Sequence, residues 1–297
     1  MTPGSGIGPL CRLAADLDRR WIRTSRRAPF PGTERLELPS AVVRLRRGGA
    51  KTGTPVVVVP DPPNTVEHYD GVFARLSEGG PVAVVEAPGF GFSVPRGPFR
   101  FEVKDLSRVL EELLLALDFR RATLSLACVG AFAALDLAAR RPDLVARLVL
   151  SQVASRREMT AWVVREDLLG VIQTPFLGQI AVRAAWRLLI ARWYRSALPE
   201  GTDPGPWKRP AHRALSAGAG FPLASAFQVF ARDAGPDLPL LKQPVTVLFG
   251  AADRTHGATD RGSITVDVPG ARLLVYSRAG HFPDLENTDE WIRFLRS

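Results

Sequence analysis

Residues 122–141 read ATLSLACVGAFAALDLAARR, and the rhythm of the chain changes inside that run. Ala122–Leu126 is a short apolar segment of the length of a buried strand, and Val129–Arg141 carries its apolar residues at helical spacing. The join falls at Leu126-Ala127-Cys128-Val129-Gly130. A strand that turns sharply into a helix lifts the middle side chain out of the sheet and sets it at the helix N-terminus. Backbone N–H groups and the helix dipole favour an anion there. The Cys128 thiol is therefore expected to have a lowered pKa and to react as the thiolate.

Outward from this run the same unit repeats. Apolar runs bounded by turn residues stand at Pro55–Val59, Pro81–Val85, Val145–Leu150, Val245–Phe249 and Arg272–Tyr276. Helical patterns lie between most of them, at Thr65–Leu76, Val103–Leu117 and, after the last run, Asp284–Leu295. Continuous apolar strands alternating with amphipathic helices predict an α/β fold, a mostly parallel sheet covered by helices on both faces. Residues 35–47 alternate enough to form one or two edge strands closed by Gly48-Gly49. Ahead of them, residues 5–27 have helical periodicity, ended by Pro29 and Pro31.

The alternation breaks between Ser155 and Asp233, where the pattern is helical and holds Trp162, Trp186, Trp193 and Trp207. Strand and helix resume after Pro236. Such a block inside a parallel sheet is expected to cap the carboxyl ends of the strands, where these sheets bind ligands. The expected organisation is a helical extension over 1–34, a core over 35–154 and 234–297, and a helical cap over 155–233.

Composition narrows the classes of function. The formal charge is +9, but only four of the 39 basic residues are lysines (Lys51, Lys104, Lys208 and Lys242). The arginines are scattered with no interleaved aromatics, so nucleic acid is not the expected partner. A general attraction for anionic substrates remains physically reasonable. No run of about 18 apolar residues predicts a membrane span, and the first residues lack the build of a secretory signal. Two distant cysteines, Cys11 and Cys128, give no disulfide framework. A reducing, cytoplasmic setting is expected.

Two more segments follow strand ends. Phe249-Gly250-Ala251-Ala252-Asp253 delivers a carboxylate, and Ala279-Gly280-His281-Phe282-Pro283 delivers an imidazole before the last helix. Nucleophile, acid and histidine in this order resemble the α/β-hydrolase fold superfamily. Val82–Ser93 (VAVVEAPGFGFS) and Leu137–Leu150 (LAARRPDLVARLVL) are similar to other parts of that family's core, and the resemblance covers residues 35–297. It implies a triad in which His281 deprotonates Cys128 and Asp253 fixes the imidazole tautomer.

The chain departs from the family in two places. Leu126 stands two residues before Cys128, where the family's cramped turn has a small residue. The loop Pro60-Asp61-Pro62-Pro63-Asn64 replaces a His-Gly motif, so the oxyanion donor position falls on Pro62, which has no N–H. Val129 would supply the remaining backbone donor. Asn64 could compensate with its side-chain amide or its backbone N–H. Asp61 reads either as an Asx-type turn residue or as an added acid or base. His68 reads as structural and His256 as a surface loop residue. Tyr69 could face the pocket, and Trp162, Leu168, Phe176, Leu177 and Trp186 could either line an apolar cavity or pack on the sheet.

Three uses of such a pocket stay open. One is acyl transfer or hydrolysis of an ester, thioester or lactone through Cys128, His281 and Asp253. Dienelactone-hydrolase-like members of the superfamily place Cys at this position. The second is a lyase, elimination or cyclisation step driven by His281 and Asp61, and the third is ligand binding without turnover. The expected partner is a small organic substrate, anionic or acylated, with no cofactor and no metal, since no metal-ligand spacing occurs.

Overall fold

The computed structural model describes residues 7–24, 31–167, 169–233, 238 and 241–297. Helix α1 (Pro9–Thr24) precedes the antiparallel strands β1 (Glu34–Glu37) and β2 (Ala41–Gly48). The core then runs β3 (Val56–Val58), α2 (Asp70–Glu78), β4 (Val82–Val85), the two-residue β5 (Val94–Pro95), α3 (Val103–Ala116), β6 (Ala122–Ala127), α4 (Ala131–Arg140) and β7 (Val145–Ser151). Four helices follow, α5 (Arg156–Glu166), α6 (Leu177–Ala197), α7 (Gly205–Ser216) and α8 (Leu223–Arg232). The chain closes with β8 (Val245–Gly250), α9 (Ile264–Asp267), β9 (Arg272–Tyr276), α10 (Pro283–Glu286) and α11 (Thr288–Arg296).

The strands form one sheet in the order β1-β2-β4-β3-β6-β7-β8-β9, with β5 beside β2. All pairs from β4 to β9 are parallel, and β1, β2 and β5 are joined antiparallel. Side chains alternate across a strand, so both faces are apolar. Val57, Ala83, Val85, Leu124, Leu148 and Val247 belong to the core on the side of α3 and α4. Val56, Val58, Val82, Val84, Val149 and Leu248 pack with Leu76, Trp291 and Leu295 on the other side. That two-sided burial is why the strands read as unbroken apolar runs.

Element ends differ from the periodicity in a few places. The helix expected over Thr65–Leu76 opens as a 3₁₀ turn, Val66–Tyr69. The one expected over Asp284–Leu295 is broken at Asn287. The first helix spans Pro9–Thr24; residues 5, 6 and 25–27, Pro29, and further on Leu168 and Pro236, lie outside the described residues. Between β7 and β8 the structure shows only helices among the described residues.

A buried ion cluster ties the two loops above β3 and β4 together. The Arg44 side chain is wholly buried on β2 and pairs with Glu67 and with Glu86, at 2.7 Å for the latter. Glu86 also accepts the Phe92 N–H at 2.6 Å, and Thr65 donates to Glu67 at 2.6 Å. Burial pushes the Glu86 carboxyl up to about 7, against the pull of Arg44. Gly91 has φ +60, and a Cβ there would fall 2.2 Å from the Glu86 carboxyl carbon, so this loop needs glycine. Removing one member of a buried pair strands the other charge and costs about 3–5 kcal/mol. Arg44→Met is expected to lower the unfolding free energy in urea by that amount; a loss under about 1 kcal/mol, the scale of an exposed pair, would show that the cluster holds neither loop.

Candidate active site

The reactive side chains stand past the carboxyl ends of the parallel strands β6, β8 and β9 and on the loop after β3. Cys128 begins a 3₁₀ turn, Cys128–Gly130, between β6 and α4. Its φ is +52, a left-handed conformation that costs a non-glycine residue about 1–3 kcal/mol and recurs at functional turns. A Cβ at Gly130 would meet nothing within 4 Å, so the turn is open, which is how Leu126 is accommodated. Leu126 itself is buried in the core.

His281 follows β9 and is fully buried. Glu286 accepts the N–H groups of Gly280 (2.8 Å) and Phe282 (3.1 Å) on either side of it. The His281 N–H donates to the Ala197 carbonyl at the end of α6 (2.7 Å). A Cβ on Gly280 would lie 2.2 Å from that same oxygen, so α6 can approach only a glycine. The imidazole Nδ1 is 2.6 Å from Asp253 Oδ2, and Nε2 is 3.0 Å from Asp61 Oδ2. Trp193 meets the ring edge-on at 4.8 Å.

Asp253 is held by four polar contacts. Oδ1 accepts the Thr255 N–H (2.9 Å) and hydroxyl (2.7 Å), and Oδ2 accepts the Gln152 amide (2.7 Å) beside His281. Gln152 also accepts the Gly250 N–H at 2.6 Å, so it locks the end of β8 to the end of β7. Sequence reading missed Gln152. Its signal is its place just past a strand whose parallel neighbour ends in the acid.

Electrostatics follow from burial. Burial alone would raise Asp253, but the His281 charge and hydrogen bonds from His281 and Thr255 outweigh it and hold the carboxyl low. Burial opposes charge on His281, yet Asp253 and Asp61 raise its pKa well above the ordinary value. The ring lies between two carboxyl groups, one at each nitrogen. Cys128 goes the opposite way from the expectation drawn from the helix terminus. Burial first, and the Asp61 charge second, push the thiol up to about 12, with only partial relief from His281 and the Val129 N–H.

The structure brings together Cys128, His281, Asp253, Asp61, Val129 and Pro62. Asp61 makes the turn as well, its carbonyl accepting the Asn64 N–H at 2.9 Å. That bond spends the Asn64 backbone donor, while Asn64 Oδ1 accepts the Tyr194 hydroxyl at 2.6 Å, outside the cavity wall. Tyr69 is buried below, donating to Asp284 at 2.6 Å. Of the aromatic residues read as wall candidates, Trp162 lines the cavity. Phe176 is 36% exposed at the start of α6, and Trp186 packs edge-on to His212 at 5.3 Å. Leu177 is exposed.

His256 is a correction. It is not a surface residue but 2% exposed, stacked on Trp162 at 4.6 Å and 5.3 Å from the His281 ring. Burial lowers its pKa to about 3, so it is neutral. His68 is structural as read, accepting the Thr65 N–H at 3.0 Å, and burial lowers it to about 4.

Above these groups lies a cavity of about 200 Å³, at the small end for ligand sites. Its wall is mostly apolar, with Phe99, Phe101 and Leu106 from the core and Phe221, Phe227 and Phe230 from the helical block. Asp61, Glu102, Glu166 and Arg192 are its charged members among the described residues. The wall is therefore richer in carboxylates than in cations, which does not suit an anionic substrate group.

Comparisons agree with this architecture. No protein-family model matches the chain. It is 27% identical, over 232 residues, to a pimeloyl-[acyl-carrier protein] methyl ester esterase of Neisseria meningitidis, covering 77% of this chain and 86% of that one. Among solved structures, a candidate acyltransferase from Salmonella enterica superposes with a TM-score of 0.75 at 18% identity, covering 91% and 96% of the two chains. Epoxide hydrolase A from Mycobacterium thermoresistibile gives 0.74 at 17%, covering 90% and 99%. No described helix is long and apolar enough to cross a membrane.

With its pKa near 12, Cys128 should be alkylated by iodoacetamide at a rate that rises about tenfold per pH unit through pH 9, followed by peptide mass spectrometry. A plateau near neutral pH would reveal a stabilised thiolate and overturn the burial argument.

Proposed function

Proceeding from the α/β-hydrolase fold that the sheet and its structural neighbours share, we propose that this chain is a hydrolase-type enzyme. It transfers or hydrolyses the acyl group of a small, mostly apolar ester, thioester or lactone through Cys128, His281 and Asp253. One observation carries the reading. Sulfur, imidazole and carboxylate are delivered by separate strand ends to one buried point, and Cys128 opens from it into the wall of a cavity. The Neisseria relative, a methyl ester esterase, supports the same bond class. The helical block over 155–233 acts as its cap, and Trp162 contacts the substrate.

The proton order follows from the resting state. His281 holds protons toward both Asp253 and Asp61, so it cannot accept the thiol proton until Nε2 has handed its own to Asp61. Asp61 is thus a relay: the thiol proton moves to Nε2 as sulfur attacks the carbonyl carbon. His281 then returns a proton to the departing alcohol or thiol. Val129 offers its N–H to the oxyanion, and Pro62 offers none. One missing donor costs about 10²–10³ in rate. Activated acyl groups therefore suit this site better than stable ones.

The Asp61–His281 pair at 3.0 Å favours a second reading, proton transfer in an elimination or cyclisation in which Cys128 stays a thiol. Short-chain p-nitrophenyl esters and aryl thioesters separate the two. Under acyl transfer, intact-mass measurement finds one acyl adduct mapping to Cys128, and Cys128→Ala abolishes turnover. No adduct, with Cys128→Ala active and His281→Ala and Asp61→Asn inactive on a substrate with an acidic C–H, moves the assignment to the second reading.

A further inference from the structure

His256 is a titratable group beside the centre that acyl transfer does not use. It lies between the Trp162 ring, at 4.6 Å and 10°, and the edge of Phe249, at 5.8 Å and 89°. Neither ring nitrogen has a hydrogen-bond partner among the described residues. A buried polar atom without one costs about 1–3 kcal/mol, and native exceptions call for an explanation. The neighbouring atoms offer one. A ring nitrogen of His256, Cys128 Sγ and a ring nitrogen of His281 all lie within 4.8 Å of one another.

We propose that Cys128, His256 and His281 form a three-residue binding site for a thiophilic divalent cation of the zinc type, with the fourth position open to water. His281 binds through Nε2, because Asp253 holds Nδ1. That carboxylate behind a ligating imidazole fixes the ring and its tautomer, as outer partners do in metal sites. Zinc takes nitrogen or oxygen at about 2.0–2.1 Å and thiolate sulfur at about 2.3 Å, which spaces tetrahedral ligand atoms about 3.3–3.6 Å apart. The three donor atoms, within 4.8 Å of one another, reach that spacing by closing in by about 1 Å, and the cation takes the place of the proton on Nε2.

The chemistry of the donors selects the ion. A thiolate and two imidazoles prefer zinc-like metals over magnesium or calcium. The Cys128 thiolate offsets one unit of the 2+ charge, which eases its burial beside an apolar cavity. The ion occupies the sulfur and the nitrogen that acyl transfer needs, so the metal-loaded and acyl-transfer states exclude each other. The site stands on the cluster itself and not on the acyl-transfer reading.

Cobalt(II), as a coloured stand-in for zinc, tests this on the full chain. One equivalent is expected to bind with tetrahedral visible bands and a thiolate-to-cobalt charge-transfer band, both erased by one equivalent of zinc. Cys128→Ser removes the charge-transfer band and Cys11→Ser keeps it. His256→Phe retains the ring on Trp162 and so keeps the fold, but weakens zinc at least tenfold in competition with a chromophoric chelator. Asp253→Asn weakens it about 10–100-fold. Failure to bind cobalt, a bound ion without the charge-transfer band, or zinc affinity unchanged in His256→Phe would each overturn the site. The acyl adduct at Cys128 is read by mass, so the two assignments fail separately.

Discussion

The fully buried imidazole of His281, bonded at both ring nitrogens to carboxylates, is the contact on which the arrangement of this site depends. Moving a charge out of water is costly, and two carboxylates repay that cost only if they are themselves fixed. Asp253 is fixed by Gln152 and Thr255, and Asp61 by the turn that ends at Asn64. The same residue fixes α6, because its backbone N–H donates to the Ala197 carbonyl. Strand ends, the loop after β3 and the helical block are thereby tied to a single side chain.

Much of this was legible in the sequence, for physical reasons that also mark the limits. Parallel strands buried on both faces leave unbroken apolar runs, and residues just past those runs must gather at one edge of the sheet. That logic placed Cys128, Asp253 and His281 without any contact information. It did not find Gln152 or His256, because each takes its meaning from a neighbour distant in sequence. Gln152 matters only because β7 and β8 are adjacent, and His256 only because Trp162 comes down from α5 to cover it. Nor could the sequence separate wall from core among the aromatic residues. Helical spacing says that Phe176 and Trp186 share a block with Trp162, but not which way the block is rotated.

The thiol shows where a local rule was overruled. A helix N-terminus lowers the pKa of an exposed group by about the strength of a partial charge within one turn. Cys128 is 3% exposed and has the Asp61 carboxylate nearby, and loss of solvation exceeds the dipole's help. The carboxylate that sustains the imidazolium therefore suppresses the thiolate. The same substitution, Asp for glycine before a proline, strengthens one half of the expected ion pair and weakens the other.

That trade bears on how a Pro-Asp-Pro-Pro loop can stand where the family has His-Gly. A proline at the donor position removes an N–H, and an acid beside it adds negative charge to a place where an oxyanion would form. Both changes disfavour a tetrahedral intermediate, but only the second can be reversed, because no change of charge gives Pro62 an N–H. Under the proposed proton order, a proton from Nε2 removes the added negative charge as His281 becomes the acceptor. Asp61 therefore acts on both partners at once, raising the imidazole and opposing the thiolate.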